Sequence, residues 1–138
     1  MVNEIPKINN PENSKSLFEL KNDLPVLAKY LESSKAFNFL YGVDMEKATY
    51  NPDSKELTFN AVAPEALQGF EGIMHGAYSV GLMDSVTGAV ALIESSKNDK
   101  RVVTFQMDAL KYKKALKVGE VYVCKAKVVS GSERFYRF

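Results

Sequence analysis

One cysteine, one histidine and no tryptophan occur among the 138 residues of this chain. Cys124 alone builds no internal disulfide, and its isolation fits a reducing compartment. One Cys and one His do not assemble a common zinc site, so no metal is expected; no cofactor is expected either. Neither sign of charge dominates: 18 Lys and Arg against 17 Asp and Glu leave +1. Bulk electrostatics therefore give no case for nucleic acid or an acidic membrane surface as a partner. Met1–Asn22 is polar, carries Pro6 and Pro11, and lacks the apolar core of a signal peptide. No apolar run approaches the length of a membrane span, and no repeat or low-complexity tract occurs. The expectation is a soluble, cytoplasmic protein. Its 46% hydrophobic and 25% charged content, at this length, suits one domain with a real core.

Residues 1–14 read as a polar arm. Asp23 has the chemistry of an N-cap, Pro25 is tolerated in a first turn, and Leu24, Leu27, Tyr30 and Leu31 recur at helical spacing. That helix is expected to end near Ser33–Ser34, so residues 1–36 form an arm and helix ahead of a main domain over 37–138. Phe37 to Tyr50 is aromatic and leans toward strand. Asn51-Pro52-Asp53-Ser54 is a turn, and Glu56–Val62 is the return strand of a hairpin. Pro64 to Met74 reads as loop.

His75 to about Ser95 is helical and apolar on nearly every side, which marks a central helix covered by other elements. Gly81 and Gly88 each cost it about 1 kcal/mol relative to Ala, which suits a sheet packed close against them. After a solvated loop, Val103, Phe105, Met107 and Ala109 alternate with Thr104, Gln106 and Asp108 in a half-buried strand. Lys117 to Glu120 turns the chain. Tyr122, Cys124, Ala126 and Val128 then mark one face of the next strand, Ser130–Ser132 turns again, and Glu133–Phe138 opens a further strand. Hairpin, long buried helix, then antiparallel strands is the order of an α+β fold whose antiparallel sheet curls around one central helix.

The densest chemistry lies between Gly69 and Asp84, in Gly-Phe-Glu-Gly-Ile-Met-His-Gly-Ala-Tyr-Ser-Val-Gly-Leu-Met-Asp. The only histidine, His75, stands beside Gly76 where the long helix begins, and Asp84 follows within it. A helix N-terminus has uncommitted N–H donors and about half a unit of positive charge, suited to polarising a carbonyl oxygen. A carboxylate buried in a greasy helix is costly unless it has a partner or a task. Together these point to acyl transfer. Each residue also has a plainer reading. His75 either shapes the loop or moves protons, and Gly76 either offers its N–H or permits tight packing. Asp84 is either a catalytic carboxylate or one satisfied by Ser85, Thr87 or a second subunit. With one histidine and no Gly-x-Ser-x-Gly elbow, Ser79 and Ser85 do not make a Ser-His-Asp hydrolase.

Gly72-Ile-Met-His75-Gly76-Ala77, followed by Leu82-Met-Asp84, resembles the motif of the hotdog-fold acyl-CoA thioesterases, particularly the phenylacetyl-CoA thioesterase-like group. There Gly-x-x-His-Gly-Gly opens an apolar helix that carries an acid. The likeness runs over roughly residues 37–138 and takes in the strand ending at Tyr112 and the Val118-Gly119-Glu120 turn. It implies a hotdog fold and hydrolysis of a thioester to free acid and coenzyme A. By the same resemblance the Gly76 N–H holds the thioester oxygen, Asp84 is nucleophile or general base, His75 serves the oxyanion loop, and Gln68 orients water. The resemblance also implies sites shared between subunits, hence a homodimer or dimer of dimers.

Ala77 replaces the motif's second glycine and still permits close approach of the substrate. Lys113 and Lys114 stand where many members have a proline, with Lys111 and Lys117 nearby. They are either contacts for the phosphates of coenzyme A or a solvated strand edge that discourages aggregation. Tyr41, Phe70, Tyr78 and Phe105 either line an acyl tunnel or are simply core. Gly69 occupies the place of a frequent Asn or Gln, and the chain ends before a strand that members usually have, as a fragment or a short sheet would. These departures support a second expectation, a non-catalytic acyl-CoA-binding or assembly protein on the same scaffold. A hotdog dehydratase fits less well, because its histidine sits in a different loop context.

Overall fold

The computed structural model describes residues 12–96, 111–131 and 136–138. The strand expected from Val103 to Ala109 and the arm as far as Pro11 lie outside the described residues. Lys15–Ser16 (β1) leads into helix α1 (Leu17–Asp23). Ser16 caps that helix: its Oγ accepts the Glu19 N–H at 3.1 Å, and the Glu19 carboxylate accepts the Ser16 N–H at 2.9 Å. This reciprocal pair satisfies two otherwise orphaned donors. Asp23, expected as an N-cap, is instead the last residue of α1. The single expected N-terminal helix is in fact three: α1, α2 (Pro25–Ser33) and α3 (Lys35–Tyr41). Pro25 opens α2, where its missing N–H costs nothing, and it keeps Leu24 out of helical geometry so that α1 and α2 cannot merge.

Helix α3 overturns the strand-leaning reading of Phe37–Tyr41. Phe37 stacks on Tyr41 with ring centroids 4.1 Å apart, a contact that helical spacing of four residues provides. Gly42 ends α3 in the left-handed conformation at φ 66°, and its N–H turns back to the carbonyls of Asn38 and Phe39. A side chain there would also overlap the Val62 carbonyl. Strands β2 (Val43–Asn51) and β3 (Glu56–Val62) form the hairpin. Asn51 Oδ1 accepts the N–H groups of Asp53 and Ser54, each at 2.9 Å, and so closes the expected turn.

Pro64–Met74 is more ordered than a loop. A single 3-10 turn, Glu65–Leu67, precedes a small hairpin of β4 (Gln68–Phe70) and β5 (Ile73–Met74). Helix α4 (Gly76–Ser95) follows. Strand β6 (Val121–Lys127) pairs with β3 along its whole length, Glu56 opposite Lys127 and Val62 opposite Val121. Ser130 and Gly131, expected in a turn, form β7 and pair with β8 (Tyr136–Arg137). The main sheet is antiparallel, in the order β1-β2-β3-β6.

Tyr78, Leu82, Val86, Ala89, Val90 and Ile93 recur every three or four residues on α4. They share one core with Leu57, Phe59 and Ala61 of β3 and Ala126 of β6. Each large aliphatic side chain buried there stabilises the fold by about 1.5–3 kcal/mol. The C-terminal end of α4 is tied to the β2–β3 hairpin: the Tyr50 hydroxyl donates to Glu94, whose other oxygen is 3.0 Å from Lys55 Nζ.

Two expectations about α4 need correction. By length and a mean hydropathy of 1.3 it does qualify as a candidate membrane span, although in this fold it is the core helix, packed on sheet and helices. Nor do its glycines meet the sheet among the described residues: Gly81 abuts the Tyr41 ring, where a Cβ would collide, and Gly88 has no described atom within 4 Å of a Cβ.

Candidate active site

His75 is the N-cap of α4, and its Nδ1 accepts the Ala77 N–H at 3.0 Å. A ring whose Nδ1 accepts carries its single proton on Nε2 when neutral. The segment entering the cap is fixed by the backbone: His75 N–H donates to Leu67 C=O at 3.1 Å, and Met74 N–H donates to Leu116 C=O at 2.9 Å. Gly76, one residue past the cap, is in the first turn, where N–H groups have no intrahelical acceptor.

A cleft of about 320 Å³ opens at this turn. Gly76 and Ser79 supply one wall from α4, Met74 and Leu116 an apolar one, and the segment from Tyr112 to Ala115 the third. The Tyr112 hydroxyl donates to Gly76 C=O at 3.3 Å. A Cβ added to Gly76 would stand 3.6 Å from that hydroxyl oxygen, an ordinary contact. Tight packing therefore does not explain the glycine; its bare Cα leaves room at the mouth of the cleft. Among the described residues Lys113 and Lys114 are the charged members of the lining, and no acid joins them there. The ion pairs of the described residues use other lysines, namely Lys35, Lys47, Lys55 and Lys125.

The other expected site residues lie around this cleft rather than in it. Ala77 is exposed, its N–H taken by the His75 cap. Gln68 Oε1 accepts the Gly72 N–H at 3.1 Å and so braces the β4–β5 hairpin. Gly69 has a physical reason of its own: a Cβ there would lie only 3.2 Å from His75 Cα, so a bare backbone lets the hairpin sit on the cap.

Asp84 is exposed, not buried as its greasy surroundings suggested. Eight residues beyond Gly76, it stands about 12 Å farther along the same helix. Its carboxylate faces Tyr30 of α2 closely enough to matter electrostatically. Burial raises that phenol's pKa, and the Asp84 charge raises it further. Thr87, expected as a partner for the carboxylate, spends its hydroxyl on the backbone carbonyls of Met83 and Asp84 at 2.8 and 3.2 Å. Asp84 and Met83 are exposed, and among the described residues nothing comes within 4 Å of a Cβ built on Gly88.

Of the aromatics, Tyr78 is core: it is 2% exposed and donates to Tyr41 C=O at 2.9 Å. Tyr41 stacks on it, with ring centroids 5.5 Å apart. Phe70 is 80% exposed on the small hairpin, and Phe105 lies outside the described residues. Tyr112 is the site residue that sequence reasoning passed over, having treated it only as the end of a strand. Its place beside two lysines was the one available signal.

Residues 71–134 match the family model described as the thioesterase superfamily. The match, with an antiparallel sheet and one long central helix, supports a hotdog-fold member of that superfamily. The matched stretch takes in His75, Gly76, all of α4 with Asp84, the Lys113–Lys114 wall and β6. No curated protein matches the chain closely enough to lend it a substrate.

Proposed function

We propose that this protein hydrolyses acyl-CoA thioesters at the Gly76 cleft. The observation that carries the reading is the Gly76 N–H, without an acceptor among the described residues, at the mouth of a cleft lined by Lys113 and Lys114. A thioester seated there points its carbonyl oxygen at the N–H, and its coenzyme A phosphates lie along Lys113 and Lys114. The Asp84 carboxylate takes a proton from water as the water oxygen bonds to the carbonyl carbon. The tetrahedral oxyanion, held by the N–H, collapses and breaks the carbon–sulfur bond. The departing thiolate takes up a proton, which leaves free acid and coenzyme A. Asp84 as direct nucleophile reaches the same products through an anhydride that water then cleaves.

Two copies are part of this reading. Gly76 and Asp84 stand about 12 Å apart on one helix, too far to act on one carbonyl. The exposure of Asp84 and Met83 on α4 supports a paired arrangement in which Asp84 of one subunit serves the cleft of the other. The test is thiol release from a panel of acyl-CoAs, read with a thiol-reactive dye, for wild type and Asp84→Asn. Turnover by wild type and a loss of at least hundredfold in the variant are expected. Equal rates would end the role given to Asp84.

A second reading, acyl-CoA binding without turnover, draws on the distance of Asp84 from its own cleft and on the engagement of Gln68 in the hairpin. Thermal stabilisation by acyl-CoA with no thiol release would favour it.

A further inference from the structure

We infer that Tyr112 is a positioning residue, which holds Lys113 and Lys114 over the cleft by tying their segment to the first turn of α4. The inference rests on the coenzyme A thioester reading above and names the device that sets phosphate recognition. Residues 111–115 are exposed and have no regular secondary structure. On its C-terminal side the segment is anchored from Leu116 onward, through Met74 N–H to Leu116 C=O at 2.9 Å and Val118 N–H to Gly72 C=O at 3.1 Å. Ahead of that anchor, the Tyr112 hydroxyl on Gly76 C=O is the only polar tie that residues 111–115 make among the described residues.

Two flexible, strongly hydrated lysines gain little from a phosphate if their backbone must be ordered at the same moment. A tyrosine just before them orders that backbone in advance. The ring spans the gap that a side chain at residue 76 would fill, and the hydroxyl reaches the helix start. Phenylalanine would keep the ring and lose the tie. The charge pattern names the ligand end concerned: two cations, with no acid beside them among the described residues, suit the phosphates of a coenzyme A thioester, not its acyl group.

The test compares Tyr112→Phe with wild type on one acyl group carried by two thiols, coenzyme A and N-acetylcysteamine, which has no phosphates. The expected result is a KM for the acyl-CoA raised about fivefold, the worth of one hydrogen bond, with kcat unchanged. KM for the N-acetylcysteamine thioester should not move. In a Lys113→Ala, Lys114→Ala background the same substitution should add nothing, because its effect passes through those lysines. An unchanged KM for acyl-CoA, or equal losses on both substrates, overturns the inference. Calorimetric binding of coenzyme A itself separates this from a failure of the hydrolase reading. If wild type turns over neither substrate, a fivefold weaker Kd in Tyr112→Phe still upholds the positioning role. Equal Kd values, or no binding by wild type, overturn it.

Discussion

The imidazole of His75 accepts the N–H of Ala77 at 3.0 Å, so the chain's only histidine caps the helix it precedes. That bond gives His75 a defined task without proton transfer. Asn also caps helices well, whereas Ala does not. His75→Ala should lower stability by about 1 kcal/mol, and His75→Asn should restore most of it. Thiol release should follow the cap, falling less than about tenfold in the Asn variant. Urea unfolding and steady-state kinetics check this pair. A direct acid–base role would instead cost both variants about 10²–10⁴ in rate.

Gly81 lies beneath the Tyr41 ring, close enough that a Cβ would collide with it. Gly81→Ala gains about 1 kcal/mol of helix propensity but must push Tyr41 off its stack with Tyr78, an overpacking cost of about 1–3 kcal/mol. The net result should be a less stable protein, seen as a lower Tm in a thermal melt. A higher Tm would mean that the α3–α4 contact is looser than the stack implies.

Burial pushes the Cys124 thiol up to about 11 from 9.0. The hydroxyls of Tyr50 and Tyr78 are also raised, in both cases chiefly by burial, with the Glu94 carboxylate adding to the effect at Tyr50. Above the unfolded pKa of each group the unfolded chain binds fewer protons than the folded one, so stability falls as pH rises. For Cys124 that window runs from about 9 to about 11 and is worth up to about 3 kcal/mol. Denaturant midpoints measured from pH 8 to pH 11 should decline. Cys124→Ala should flatten part of the slope, and at pH 8 the native thiol should react slowly with alkylating reagents.

Lys113 and Lys114 line the cleft, with no carboxylate beside them among the described residues. Replacing both by Ala should raise KM for an acyl-CoA about tenfold at low ionic strength, with the gap from wild type shrinking near 1 M salt, where screening acts within about 3 Å. A salt-independent difference would point to a role other than charge.

The central architecture was legible because it rests on strong local signals. Asn51-Pro52-Asp53-Ser54 fixed a hairpin turn with β3 as its return strand, alternation fixed β6, and a long apolar run beginning at a histidine fixed α4. Side chains that depend on distant partners were less readable. Ser16 and Glu19 carry a capping-box spacing, but Asp23 ahead of Pro25 looked like the stronger start. Phe37–Tyr41 has strand-like composition, and packing on α4 keeps it helical instead. The exposure of Asp84 follows from which face of α4 the sheet covers, and composition does not record that. Tyr112 touches Gly76 across 36 residues of sequence, a relationship that no local pattern announces.

Gly76 offers an unusually clean test of the oxyanion role. It is the first residue of α4, and His75 before it has φ −61° and ψ 141°, the conformation that a following proline requires. Proline is favoured at that first helical position, so Gly76→Pro deletes the N–H and leaves the helix in place. Gly76→Ala keeps the N–H and adds a methyl group in ordinary contact with Tyr112. The decisive measurement is kcat for acyl-CoA hydrolysis by the two variants, with thermal melts to confirm folding. The account predicts a loss of about 10²–10³ for Gly76→Pro, with Gly76→Ala remaining near wild type. A proline variant that releases thiol as fast as wild type would contradict it.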